Sequence, residues 1–113
     1  MTLEQCKRLK EMGFPQVIGI SAYWELSKGR IELWNTRNLH MATEICCNPT
    51  AEEALEWVGE KLKERIDISF YPNRVRIKCI IYNRGMWQSA HNTLSDAVYA
   101  LIVWAHENKL LEA

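Results

Sequence analysis

Residues 66–82 read Ile66-Asp67-Ile68-Ser69-Phe70-Tyr71-Pro72-Asn73-Arg74-Val75-Arg76-Ile77-Lys78-Cys79-Ile80-Ile81-Tyr82, an alternation of apolar and polar side chains broken once by Pro-Asn. A period of two sends successive side chains to opposite faces of a strand. Ile66, Ile68 and Phe70 then share one face of a first strand, and Val75, Ile77, Cys79 and Ile81 share one face of a second, which runs from Arg74 to Tyr82. Arg74, Arg76 and Lys78 occupy the other side of that second strand. Pro72-Asn73 supplies the turn between them, and Asn83-Arg84-Gly85 is a tight hairpin signal that returns the chain as Met86 to His91. An antiparallel sheet with one apolar face needs a covering layer. Thr93-Leu94-Ser95-Asp96 begins it, capping a helix from Leu94 to about Leu110 that turns Leu94, Ala97, Val98, Leu101, Trp104 and Ala105 inward.

The same order of elements precedes this stretch. Thr50-Ala51-Glu52-Glu53 forms a capping box for an amphipathic helix over 50–65, with Ala51, Ala54, Leu55, Val58 and Leu62 as its apolar stripe. Three strand-like segments lie ahead of that helix. From Val17, residues Ile18, Ile20, Ala22, Trp24 and Leu26 share a face; Arg30 to Asn35 sets Ile31 and Leu33 against Glu32 and Trp34; Leu39 to Cys47 places Leu39, Met41, Thr43, Ile45 and Cys47 together. Before them Thr2-Leu3-Glu4-Gln5 caps a short helix to Met12, closed by Gly13 and Pro15. The two later caps, Thr50 and Thr93, are 43 positions apart, which predicts two β-β-β-α units over 17–65 and 66–110 after an N-terminal helix. The expected class is α+β, a two-layer arrangement with helices on one face of antiparallel sheet.

Composition agrees with one soluble domain over 1–113: 48% of the 113 residues are hydrophobic, and 14 basic residues balance 14 acidic ones. Zero net charge removes the global attraction on which many nucleic-acid and anionic-membrane binders rely, though not a local one. The most apolar stretch, Ala97 to Ala105, falls short of the roughly 20 residues that span a bilayer. The opening carries a charge at Glu4 and no apolar run, which predicts no secretory signal and a cytoplasmic location. Cys6, Cys46, Cys47 and Cys79 form no C-x-x-C pair and no zinc-ligand spacing, so they read as reduced, buried residues, and no metal or cofactor is expected.

Two surfaces stand out. From Ile68 through Ser95 the chain has no Asp or Glu, while Arg74, Arg76, Lys78 and Arg84 fall within it; with Tyr82 on the same face and Trp87 nearby, they make a basic, aromatic-interleaved strand surface suited to nucleic acid or an acidic protein. The same pattern also serves solubility on a strand exposed on one side. The second surface is apolar. Trp34 and Trp57 fall off the faces assigned to the core, and Tyr99, Ile102 and Val103 lie beyond the inward stripe of the last helix, which makes these five the interface candidates. For catalysis, His40, His91 and His106 are scattered, and no nucleophile elbow, P-loop or glycine-rich dinucleotide motif occurs. A Cys79 and His91 pair is the one nucleophile arrangement to consider, and nothing in its spacing favours it.

Three segments together carry a resemblance: Met1 to Gln16, Pro49-Thr50-Ala51-Glu52-Glu53-Ala54-Leu55, and Thr93-Leu94-Ser95-Asp96-Ala97-Val98 running to Leu111. They resemble small uncharacterised proteins encoded in tailed phages and prophages. The β-β-β-α unit is similar in architecture alone to HicB-type antitoxins and double-stranded-RNA-binding folds. The phage resemblance implies an accessory protein that works by binding rather than catalysis. The expectation is therefore a non-enzyme: a protein-interaction module, self-associating or inhibiting a host defence or regulatory complex. The alternative is a nucleic-acid-binding module that uses the basic strand face; neither involves a membrane.

Overall fold

The computed structural model describes every residue except Lys28, Asn38, His40, Met41, Asn83, Arg84 and Ala113. The fold is α+β, with antiparallel strands divided between two three-stranded sheets and helices between and around them in sequence. The elements are α1 (Leu3–Glu11), β1 (Ala22–Ser27), β2 (Arg30–Trp34), β3 (Thr43–Cys47), α2 (Ala51–Leu62), β4 (Arg65–Tyr71), β5 (Arg74–Ile81), β6 (Gly85–His91) and α3 (Leu94–Glu107). The β-β-β-α order thus occurs twice after α1, but the strand order differs: β2-β1-β3 in the first sheet, β4-β5-β6 in the second. The chain forms two compact units, Met1–Glu53 and Ala54–Ala113, and the boundary falls inside α2 after its first turn.

All three helices are delimited by local chemistry. Thr2 and Gln5 exchange side-chain and backbone hydrogen bonds in a capping box at α1, and Thr50 and Glu53 do the same at α2. The Thr93 hydroxyl accepts from the Asp96 amide at α3. Each helix closes on a residue with positive φ: Gly13, Lys63 and Lys109. At α1 the Phe14 amide reaches the Leu9 carbonyl and Gly13 reaches Lys10; at α3 Leu110 reaches Ala105 and Lys109 reaches His106. Both are Schellman closures, which satisfy carbonyls left over at a helix end.

In the first unit, two bulges decide which side chains are covered. One lies between Glu25 and Ser27 of β1, so that Trp24 stands opposite Glu32 and Ala22 opposite Trp34. One extra residue in a strand exchanges the faces of everything beyond it, and Leu33 is exposed as a result. The second shift, at the β1–β3 pairing, pairs Ala22 with Cys47 and Tyr23 with Cys46, then Trp24 with Glu44. Packed around these strands, Cys6, Leu9, Phe14, Ala22, Trp24, Cys46 and Cys47 form the unit's core.

Residues 17–20, expected to extend β1, form bends and turns instead. Carbonyls in and next to the segment bind a side chain rather than a strand: the Arg37 guanidinium donates to the carbonyls of Gln16 (2.5 Å) and Gly19 (3.4 Å). Arg37 also pairs with Glu44 at 2.5 Å, and the Gln16 amide group bridges the Phe14 carbonyl and the Cys47 amide. Gly19 has φ +82°, and a Cβ there would come within 2.9 Å of the Glu53 carboxylate. The bolted segment leaves Val17 86% exposed and Ile20 exposed beside it. Of the expected β3, only Thr43 onward is strand; Met41 and His40 lie outside the described residues.

The second unit is regular. The β4–β5 and β5–β6 ladders run without a register shift, and α3 packs on β5 and β6. Val75, Ile77 and Cys79 are buried beneath it, with Ala97, Val98, Leu101, Ile102 and Ala105 from the helix. Trp87 stacks on Trp104, with ring centroids 5.2 Å apart. Cross-strand partners share a face, so the opposite side of the sheet is fixed by the same register. No helix among the described residues is long and apolar enough to cross a membrane.

Candidate nucleic-acid interface

The face of the second sheet opposite α3 is built row by row from the ladder. Tyr71 stands across from Arg74; Ser69, Arg76 and Ala90 form the next row; Asp67, Lys78 and Gln88 the third; Arg65, Ile80 and Met86 the fourth. Antiparallel partners lie about 5 Å apart, so these side chains make one continuous surface. Its edges are exposed except at Asp67, which is half-buried, as are Arg76 and Lys78 along its middle strand. Arg74 and Arg76 both gather on one ring: their guanidinium carbons lie 5.2 and 5.7 Å from the Tyr71 centroid. Each such cation over an aromatic face is worth about 0.5–1 kcal/mol when exposed, which holds both arginines at this corner.

Asp67 is the single carboxylate on these rows, and Arg65 donates to it at 3.0 Å. Arg74, Arg76 and Lys78 have no ion pair among the described residues. Cations therefore outnumber carboxylates on this face, with Asp67 opposite Lys78 and bonded to Arg65.

Of the residues singled out from the sequence, Arg74, Arg76 and Lys78 lie together as expected. Tyr82 is one residue past the end of β5, 81% exposed, its amide donating to the Glu64 carboxylate. Arg84 lies outside the described residues. Trp87 is corrected: paired with Cys79, it belongs to the helix-covered side, stacked on Trp104, and cannot join the arginines. Tyr71 and Arg65 are members the sequence reading missed. The two-residue break at Pro72-Asn73 was the available signal, because a hairpin that tight places Tyr71 directly opposite Arg74.

The apolar interface set is largely dispersed. Trp57 is only 9% exposed and Ile102 is fully buried, so both are core residues. Ile102 is covered because α3 is packed around more of its circumference than one apolar stripe accounts for; Tyr99 and Val103 are half-buried. Trp34 keeps 41% of its surface.

Chemistry elsewhere is sparse. Val75, which pairs with His91, and Cys79 are four residues apart on β5, about 13 Å along the strand, so Cys79 and His91 are not brought together. Ser89 and His91 do meet, hydroxyl oxygen to Nε2 at 2.6 Å, which satisfies two half-buried polar groups beside α3. The four thiols are all buried. Burial pushes Cys6 up to about 12 and Cys47 to about 11, with the neighbouring Cys46 adding to the rise at both, and raises Cys46 and Cys79 as well. Among the described residues no group of three or more His, Cys, Asp or Glu is placed to hold a metal ion. No family description, no curated protein and no solved structure matches this chain.

Proposed function

We propose that this chain is a nucleic-acid-binding module, not an enzyme, and that the face formed by Arg65, Arg74, Arg76, Lys78 and Tyr71 is its binding surface. The supporting observation is three cations in adjacent rows of one sheet face with no ion pair among the described residues, two of them gathered on an aromatic ring. Lys and Arg in this arrangement neutralise phosphates and release counterions, which drives binding even when the whole protein is neutral. In the first unit, by contrast, Arg30 pairs with Glu32 and Arg37 with Glu44.

The test is fluorescence anisotropy with a labelled oligonucleotide of about 15 nucleotides at about 50 mM salt, where phosphate contacts are strong. The triple variant R74A/R76A/K78A is expected to bind at least about tenfold more weakly while keeping the far-UV circular dichroism of the parent. Binding by the parent that survives the triple change would contradict the assignment, as would a parent that binds no oligonucleotide.

A protein-interaction reading keeps one specific support, the exposed Val17, Ile20, Leu33 and Trp34 of the first unit. Under it the Val17→Ser and Leu33→Ser changes abolish a concentration-dependent increase in mass measured by light scattering. A parent that stays monomeric at all concentrations removes self-association from that reading.

A further inference from the structure

We infer that the nucleic acid taken by this face is single-stranded, with bases stacking on the platform made by Tyr71 and its two arginines; this rests on the nucleic-acid reading above. The face is an open sheet rather than a protruding helix or ribbon. Seven- and eight-residue strands at about 3.3 Å per residue make it roughly 25 Å long, and three strands make it about 10 Å wide. A major groove about 12 Å wide admits a helix or a two-stranded ribbon, not the flat side of a three-stranded sheet. Against a duplex this surface meets phosphates only, because the base faces are hidden in the stack.

Its own chemistry includes more than charge. Tyr71 is 44% exposed at one end of the face, and Arg76 and Lys78 follow it along the middle strand. A guanidinium lying over a ring offers its outer plane to a further ring, so Arg74 and Arg76 extend the Tyr71 platform outward. The residues flanking Arg76 in its row are Ser69 and Ala90, both small and exposed, which leaves the space beside the platform open for a planar base. Stacking of this kind is available to unpaired bases and tolerates any sequence, while the cations beside Tyr71 track the backbone.

The experiment is a parallel titration of one labelled sequence as single strand and as duplex, with heparin as a polyanion lacking bases, against the parent, Tyr71→Ala and Tyr71→Phe. The parent is expected to prefer the single strand by about tenfold or more. Tyr71→Ala is expected to lose about tenfold on the single strand while heparin binding stays nearly unchanged, and Tyr71→Phe, which keeps the ring, restores it. Equal affinity for both forms, or single-strand binding indifferent to Tyr71→Ala, overturns the single-strand inference and leaves the nucleic-acid reading standing. Absence of binding to either oligonucleotide overturns both.

Discussion

Cys6, Cys46, Cys47 and Cys79 show how a residue's surroundings set its chemistry. The thiolate is the reactive form, and burial without a cationic partner of sufficient effect disfavours it at all four positions. Each thiol's folded value lies above its ordinary 9.0, so unfolding releases protons at alkaline pH. The stability contributed by the neutral thiols is fully present below about pH 9 and declines as pH rises towards 11 and 12, the values for Cys47 and Cys6. A thiol reagent such as Ellman's should label none of the four at pH 8 until denaturant is added; rapid labelling of the folded protein would contradict their burial. The site was partly legible at this scale. Arg74, Arg76 and Lys78 could be placed because alternation in β5 is unbroken, whereas Trp57 and Ile102 could not, since a single apolar stripe does not reveal how much of a helix is covered.

Among the elements, β4 to β6 followed from sequence almost to the residue because pairing there has no irregularity and both turns carry strong signals. The first sheet did not follow, and the reason is local: extra residues in β1 and β3 exchange faces, and alternation alone carries no mark of a bulge. Residues 17–20 depart from strand for a different reason, the capture of the Gln16 and Gly19 carbonyls by the distant Arg37. The helix ends make testable statements. Lys109 closes α3 at φ 57°, where glycine has no Cβ penalty. Lys109→Gly should therefore stabilise by up to about 1 kcal/mol, read as a higher denaturation midpoint. Thr93→Ala, which removes the cap of the same helix, should cost about 1 kcal/mol. Ile77→Ala, beneath α3, should cost about 2–5 kcal/mol, since it opens a cavity where the side chain is fully buried.

For the whole molecule, a formal net charge of zero and a cationic sheet face are compatible because binding responds to local potential within a Debye length, about 8–10 Å in ordinary buffers. The neutral total limits long-range attraction, so affinity should depend on contact with phosphates rather than on steering. That makes salt dependence the most direct measure of the central claim. We would measure oligonucleotide affinity across a salt series for the parent and for R74A/R76A/K78A. Three phosphate contacts on a single strand give a slope of log affinity against log salt near about −2, and the triple variant should bring it close to zero. A parent slope near zero, or one that the triple variant leaves unchanged, would contradict the assignment of this face.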